Sequence, residues 1–225
     1  MNKISGKTLV LVPAYNAAPY LSDLVNRVRK AAPNIDLLII NDGSLDNSAE
    51  VLEDLNVTFL SNDTNRGKGY SLRRGLDYAI DRGYEYVLTL DADLQHLPEE
   101  IPNFLNHPQK ADLYIGTRTR HGSNMPAMRR LSNKLTSGII SFLSKNRISD
   151  SQSGYRMIST ELLKRIKIDS DGYDFESEFL FKAGRLDIRI VEIPISTVYA
   201  GSSSYIDPVA DTLRFIRLTL KRIFS

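Results

Sequence analysis

The sequence contains no cysteine and no tryptophan among its 225 residues. The absence of cysteine excludes a disulfide framework, a thiolate metal site and a catalytic thiol, and it fits a reducing compartment. Long hydrophobic runs are also missing. Apolar runs such as 37–40 are far shorter than the ~20 predominantly apolar residues that a membrane-spanning helix needs. The apolar stretch at 9–12 is too short for a signal peptide. We therefore expect a cytoplasmic protein without a spanning segment.

Net charge is small, at +2 from 29 basic and 27 acidic residues, which does not suggest a nucleic-acid-binding protein. The balance nevertheless hides two basic regions. Between Asp112 and Asp150 there are seven basic residues and no acidic one, and four more basic residues follow Asp211 without an acid. The tail 207–225 has the pattern of a basic amphipathic helix, which predicts contact with an anionic membrane surface. An ordinary surface helix docked on the core is the alternative.

Strand and helix patterns alternate along the first half of the chain. This alternation predicts βαβ units in a mostly parallel central sheet with helices on both faces, hence a single α/β domain. Ligands of such sheets bind at the carboxyl ends of the strands. The predicted strands are 8–12, 36–40, 57–60, 84–90, 112–117 and 187–195. The predicted helices are 18–31, 46–54, 68–82, one beginning at Pro98, 126–145, a short one capped by Ser159, and 174–185.

Asp91 and Asp93 directly follow a predicted buried strand. Residues two apart on a strand point to the same face, so the two carboxylates can converge on one cation, and Gln95 has the same parity. Mg2+ and Mn2+ prefer oxygen ligands and often share them with substrate phosphates. The alternative is that these acids cap the helix beginning near Pro98.

Two further loops contain polar residues that could bind a ligand. The segment 65–69 (Asn-Arg-Gly-Lys-Gly) precedes a helix, where glycines allow close approach and the helix N-terminus favours anions. Arg66 and Lys68 could neutralise phosphates there, although the composition alone fits a solvated turn. The segment 41–44 is a turn by composition, in which Asp42 could accept hydrogen bonds from a nucleobase.

Together these motifs resemble the family 2 glycosyltransferases, which have the Rossmann-like GT-A fold. The matching segments are 12–16, 41–44, 65–69 and 91–96. Three more segments resemble the dolichol-phosphate mannose synthase-like enzymes, and the likeness runs from about Thr8 to the C-terminus. These segments are Ile115–Arg118, Asp150–Arg156 and Val191–Ile195.

The resemblance implies roles for individual residues. The nucleotide would be bordered by Pro13, Tyr15, Asn16, Asp42, Lys68, Asp91 and Ala92. The metal, Mg2+ or Mn2+, would be held by Asp91, Asp93 and Gln95. The catalytic residues would be Asp93, Asp150 and Arg118. The acceptor would be met by Arg118, Arg129, Arg130, Ser132 and Arg156. The implied halves are 1–120 for the nucleotide sugar and 121–206 for the acceptor, followed by the tail 207–225.

The implied reaction is inverting transfer of a sugar from GDP-mannose or a UDP-hexose to a polyprenyl (dolichyl-type) phosphate, by an enzyme peripheral to the cytoplasmic membrane face. The loop 199–205 lacks the basic residue of many mannose synthases, which leaves both donors open. A separate membrane protein is a further partner to consider. One alternative is a saccharide hydroxyl acceptor, which would require a base such as Asp150, Glu176 or Glu178. Another is a non-catalytic nucleotide- or membrane-binding module.

Overall fold

The computed structural model describes residues 6–118, 133, 136–139, 141, 148–172 and 175–198. These residues form one seven-stranded sheet in the order β3-β2-β1-β4-β6-β5-β7. Within it β6 runs antiparallel to both of its neighbours, whereas the other pairs are parallel. The strands are β1 (Thr8–Ala14), β2 (Asp36–Asn41), β3 (Thr58–Ser61), β4 (Tyr86–Thr89), β5 (Leu113–Arg118), β6 (Arg156–Ser159) and β7 (Ile190–Ile195).

Six α-helices with defined bounds accompany the strands in the described part of the chain, where residues 133, 136–139 and 141 are helical as well. They are α1 (Ala18–Ala31), α2 (Ser48–Asp54), α3 (Lys68–Asp81), α4 (Ile101–Leu105), α5 (Thr160–Lys164) and α6 (Phe175–Ala183). A 3-10 turn at Pro98–Glu100 leads into α4. None of the described helices is long and apolar enough to cross a membrane.

The core lies on both faces of the sheet because successive strand residues point to opposite sides. In β1, Leu9 and Leu11 belong to the cluster that includes residues of α3, α5 and α6. Val10 and Val12 belong to the other cluster, with residues of α1, α2 and α4. The mostly parallel sheet with helices on both faces is therefore confirmed.

The predicted helices and strands of the first half agree with the structure to within one or two residues at most ends. The predicted cap of α5 is also confirmed, since the Ser159 hydroxyl accepts a hydrogen bond from the Leu162 amide at 3.3 Å. The helix predicted over 126–145 is described only at 133, 136–139 and 141, which are helical. The tail helix predicted over 207–225 lies outside the described residues.

The strand that the sequence did not predict is β6. It has four residues, and all of them are buried. The segment therefore lacks the alternation of buried and exposed positions by which a strand is recognised. Its reversed direction has a consequence for the site. The amino end of β6 lies at the sheet edge where β4 and β5 have their carboxyl ends, so residues 150–155 join that edge.

Candidate active site

The loops after β1 and β2 are bonded together into one rim. Asn16, in a left-handed conformation with φ of 50°, accepts a hydrogen bond from the Leu45 amide at 2.8 Å. The Asn16 amide in turn donates to the Ser44 hydroxyl at 2.9 Å. Beside them Tyr15 keeps 44% of its surface exposed. The rim thus presents an aromatic ring that could stack on a flat ligand.

Asp42, predicted to contact the nucleotide, lies beneath the turn that precedes α3. It is buried, and its Oδ1 accepts hydrogen bonds from Asn62 Nδ2 at 2.6 Å and the Arg66 amide at 3.0 Å. Its Oδ2 accepts one from the Gly67 amide at 2.8 Å. Asp42 therefore fixes the turn that places Lys68, and its contact with a nucleotide stays a prediction.

Lys68 begins α3 and lies between two carboxylates. Its Nζ is 2.6 Å from Asp91 Oδ1 and 2.8 Å from Glu176 Oε1. Burial disfavours the ammonium ion, but the two carboxylates outweigh burial and raise the pKa of Lys68. Burial likewise disfavours the Asp91 carboxylate, and Lys68 outweighs it, so the pKa of Asp91 is lowered. The pair is therefore ionised at neutral pH.

Asp93 differs from Asp91 in its surroundings. Burial, and then the charge of Asp91, raise the pKa of Asp93. Its Oδ1 accepts a hydrogen bond from the Gln95 amide at 3.0 Å. Asp93 is half-buried and so remains accessible to a ligand.

This donor set fits a divalent cation that shares its ligands with a diphosphate. The described residues contain no group of three or more His, Cys, Asp or Glu that could hold a metal by themselves. Mg2+ is commonly bound by one or two carboxylates together with substrate phosphates. The pair Asp91 and Asp93 matches that arrangement. Its carboxylate oxygens are suitable ligands, and two carboxylates leave coordination positions for substrate phosphates.

His96 is a site residue that the sequence reasoning missed. It is buried, its Nδ1 is 3.8 Å from Asp91 Oδ2, and its ring lies against Tyr155. Nδ1 has no hydrogen-bond partner in the described part of the chain. Burial lowers the pKa of His96 to about 4, so the ring is neutral at pH 7. In the sequence His96 directly follows Gln95 and was visible only as the last residue of the segment 91–96.

Gly154 allows the close approach of β6 to the end of β4. A Cβ at this position would lie 2.8 Å from Asp91 Oδ2, closer than two such atoms can pack. The Gly154 carbonyl also accepts a hydrogen bond from the Thr89 hydroxyl at 2.7 Å. Gly154 is thus packed directly against Asp91, one of the two aspartates predicted to bind the metal.

Arg118 and Asp150 form a bidentate ion pair at this edge. The Nε–Oδ2 distance is 2.6 Å and the Nη2–Oδ1 distance is 2.7 Å. Burial disfavours the Asp150 carboxylate, but Arg118 outweighs burial and lowers the pKa of Asp150. A carboxylate held in this way is a poor proton acceptor, so the geometry disfavours Asp150 as a general base. The catalytic roles predicted for both residues stay predictions.

Arg156 was predicted to meet the acceptor, and the structure instead encloses it. Only 2% of the residue is exposed. Its three nitrogens donate to the carbonyls of Ser153 at 2.9 Å, Glu176 at 3.1 Å and Ser151 at 2.8 Å. Because each guanidinium nitrogen donates to a backbone carbonyl and the side chain is buried, Arg156 has a structural position, and acceptor contact finds no support in this arrangement.

Comparison of the chain with models of known protein families agrees with the residues found at the site. The family model described as "Glycosyl transferase family 2" matches residues 9–167. The chain belongs to this family. It is a glycosyltransferase, and the resemblance carried by the loop motifs is confirmed.

Curated relatives of this glycosyltransferase cover most of its length. The undecaprenyl-phosphate mannosyltransferase of Micrococcus luteus is 32% identical over 203 residues, which are 85% of this chain and 84% of the relative. The UDP-N-acetylglucosamine–dolichyl-phosphate N-acetylglucosaminyltransferase of Methanococcus voltae is 28% identical over 219 residues, 86% of each protein.

A solved structure shows the same fold. The crystal structure of glucosyl-3-phosphoglycerate synthase from Mycobacterium tuberculosis, in complex with Mn2+, UDP and glucosyl-3-phosphoglycerate, has a TM-score of 0.74 with 16% identity. The match covers 97% of this chain and 80% of that one. The glycosyltransferase described here therefore has the GT-A fold that the resemblance implied.

The remaining predicted residues of this glycosyltransferase occupy varied positions. Pro13 lies in β1 and lines a small pocket together with Lys68 and Asp91. Ala92 is buried in the core. Three residues predicted for the acceptor lie outside the described part of the chain, namely Arg129, Arg130 and Ser132.

Glu178, a candidate base if the acceptor were a hydroxyl, serves the loop before α6. It accepts a hydrogen bond from the Ser170 amide at 2.9 Å and pairs with Lys182 at 2.6 Å. Glu176 instead pairs with Lys68. The two carboxylates are two residues apart on one helix, yet Glu176 pairs with Lys68 and Glu178 pairs with Lys182.

Proposed function

We propose that this glycosyltransferase moves a sugar from a nucleotide-diphosphate donor to a polyprenyl phosphate with the aid of Mg2+ or Mn2+, by inversion at the sugar carbon. The names of two relatives support the acceptor class, since one is an undecaprenyl-phosphate and the other a dolichyl-phosphate sugar transferase. The donor base remains a choice between GDP and UDP.

The observation that carries the acceptor assignment is the pairing of all three candidate bases with cations. Asp150 is bonded to Arg118, Glu176 to Lys68, and Glu178 to Lys182. A hydroxyl acceptor needs a carboxylate that can take its proton. A phosphate acceptor is already ionised at neutral pH and needs only positioning and charge stabilisation. The arrangement favours the phosphate.

On the donor side, Asp91, Asp93 and Gln95 would hold the metal together with the diphosphate. The metal, when bound, would act as a Lewis acid that stabilises the departing diphosphate. Tyr15 would stack on the base, and the cation of Lys68 would hold Asp91 in its ionised form beside the phosphates. These roles follow from the exposure of Tyr15 and the Lys68–Asp91 ion pair.

We also propose that the enzyme works at the cytoplasmic face of a membrane as a peripheral protein. The basic stretch between Asp112 and Asp150 and the basic tail after Asp211 support this placement, because basic residues near anionic lipid each contribute ~1 kcal/mol. The halves 1–120 and 121–206 would then bind donor and acceptor respectively. A separate membrane protein could supply further anchoring.

The test of the donor site is a thermal-shift screen of GDP, UDP, dTDP and CDP with Mn2+. A nucleotide at 100 times its dissociation constant stabilises the folded state by ~2.7 kcal/mol, which is easily measured. We expect one of GDP and UDP to stabilise the protein in the presence of Mn2+ and Asp93→Ala to abolish that shift. Asp54→Ala, at the exposed end of α2, is the control and should keep it. An Asp93→Ala protein that binds as tightly as the original would contradict the metal assignment.

The test of the acceptor is transfer of labelled sugar from GDP-mannose or a UDP-hexose into organic-extractable lipid. We expect label in the lipid fraction when a polyprenyl phosphate is supplied and none when the corresponding polyprenol is supplied. Label appearing only in a water-soluble saccharide would favour the hydroxyl-acceptor alternative. Nucleotide binding without any transfer would favour the non-catalytic module.

A further inference from the structure

We infer that Glu176 is a positioning residue for the metal site, acting through Lys68 on Asp91. The inference deepens the proposed function and rests on it. Glu176 lies in the first turn of α6, is nearly enclosed, and places Oε1 2.8 Å from Lys68 Nζ. Lys68 reaches Asp91 Oδ1 at 2.6 Å from the same atom. One ammonium ion is therefore shared by two carboxylates from different elements.

The backbone of Glu176 is fixed by the segment that precedes β6. Arg156 Nη1 donates to the Glu176 carbonyl at 3.1 Å, while Nε and Nη2 of the same guanidinium hold the carbonyls of Ser153 and Ser151. The amino end of α6 is thus tied to residues 151–153, and through Gly154 the same segment packs on Asp91. Glu176 is held in place independently of any ligand.

The charge of the cluster explains why Glu176 matters for a cation. Lys68 and Arg156 carry two positive charges, and Asp91, Asp93 and Glu176 carry three negative ones. The separate Arg118–Asp150 pair is neutral. One negative charge is in excess where a divalent cation would bind. Without Glu176 the cluster becomes neutral, and Lys68 has Asp91 as its single carboxylate partner within this cluster. A divalent cation would then compete for Asp91 with a Lys68 ammonium ion that is no longer shared with Glu176.

The experiment measures the dissociation constant of Mn2+ by electron paramagnetic resonance, at a saturating concentration of the nucleotide that stabilises the unmodified protein. We expect Glu176→Gln to weaken Mn2+ binding by about tenfold, the coupling typical of residues in one ion-pair network. We expect Glu176→Asp, which keeps the charge, to recover part of that loss. The double variant Lys68→Met with Glu176→Gln has the same formal charge as the unmodified protein. Mn2+ then replaces Lys68 as the cation beside Asp91, so the double variant should bind Mn2+ more tightly than Glu176→Gln.

Glu178→Gln is the matched control, because Glu178 lies on the same helix and pairs with Lys182 rather than Lys68. It should lower the melting temperature without changing Mn2+ affinity. A purely structural role for Glu176 predicts instead that the double variant binds no more tightly than the single one, and that result would overturn the inference. Unchanged Mn2+ affinity in Glu176→Gln would also overturn the inference.

If the unmodified protein binds no Mn2+ with any nucleotide, the proposed function itself fails. If it binds and only Glu176→Gln has no effect, this inference alone fails. Should Glu176→Gln not fold, Glu176→Asp and the double variant are compared with the unmodified protein instead. Mn2+ affinity at the original level in the double variant, with a modest loss in Glu176→Asp, supports the inference. A large loss of Mn2+ affinity in both variants overturns it.

Discussion

At the scale of single residues, three aspartates at one sheet edge have different partners. Asp91 is paired with Lys68, and Asp150 is clamped by Arg118. Asp93 forms no ion pair in the described part of the chain and accepts a hydrogen bond from the Gln95 amide. The partners separate their chemistry, because a carboxylate bonded to a buried cation stays ionised while a neighbour of like charge has its pKa raised. Of the three, Asp93 is the best placed to meet a metal directly.

The Arg118–Asp150 pair gives a prediction about stability and pH. Removing one partner of a buried ion pair leaves the other charge uncompensated, so we expect Asp150→Asn to lower the free energy of unfolding by about 3–5 kcal/mol at pH 7. The pKa of Asp150 is lowered from its ordinary value of 3.8. Its stabilising contribution is therefore present above pH 3.8 and is lost as the pH falls from there through the lower folded-state pKa.

Urea unfolding of the original protein and Asp150→Asn at pH 7 and at pH 3 measures this difference. The gap between the two proteins should be large at pH 7 and smaller at pH 3. Glu161→Gln, in an exposed pair with Lys164, serves as control and should change stability little at either pH. A gap that is the same at both pH values would show that the charge of Asp150 is not what stabilises the fold.

At the scale of secondary-structure elements, the reversed strand β6 assembles the site. In a wholly parallel sheet the residues before β6 would lie at the opposite edge from the carboxyl end of β4. Because β6 is antiparallel to β4, with Thr89 opposite Arg156, Gly154 meets Asp91 instead. The motif 150–156 and Asp91, a predicted metal ligand, are neighbours for this reason.

Gly154→Ala tests that contact. The new methyl group would lie 2.8 Å from Asp91 Oδ2, so the Asp91 side chain, which Lys68 holds, must move. We expect at least a tenfold loss of Mn2+-dependent nucleotide affinity, since a misplaced ligand forfeits about this much or more. We expect a stability cost of about 1–3 kcal/mol, typical of overpacking. Isothermal titration and thermal unfolding measure the two effects.

Gly138→Ala is the control for the added methyl group. A Cβ there meets nothing within 4 Å, and the residue is helical, so alanine should leave stability unchanged or raise it slightly. If Gly154→Ala behaved like this control in both measurements, the close approach of β6 to Asp91 would not constrain the site.

At the scale of the whole molecule, the small net charge conceals basic regions in an otherwise acidic chain. One basic stretch lies between Asp112 and Asp150, and a second follows Asp211 in the tail. A phosphate-bearing lipid in an anionic membrane would be attracted to such regions, and salt would weaken the attraction.

We therefore expect the full-length protein to float with anionic liposomes at low salt and to be released at high salt. Four substitutions to glutamate in the tail should reduce flotation, namely Arg214, Arg217, Lys221 and Arg222. Liposomes of neutral lipid provide the control and should bind the protein weakly. Absence of flotation with anionic liposomes at low salt would remove the proposal of a membrane-bound enzyme.

The sequence alone determined much of this protein. Apolar periodicity located α1 to its exact residues, Ala18–Ala31, because one face of that helix packs on the sheet. The loop motifs indicated the family and the pair Asp91 and Asp93, because polar residues at the end of a buried strand are visible locally. Ser159 was recognisable as a cap, since capping depends on the adjacent turn alone.

The tertiary structure decided which charges meet. Asp91 pairs with Lys68, which lies 23 residues before it in sequence, and Lys68 also pairs with Glu176, which lies 85 residues after Asp91. Arg156 appeared to be an acceptor residue in its motif and is enclosed by backbone carbonyls in the fold. Local pattern determines what a segment becomes, because it depends on neighbouring residues. The role of a charged side chain depends on which opposite charge the fold brings within about 3 Å of it. Here the reversed strand β6, which is too short to show a sequence pattern, places the segment 150–156 beside Asp91.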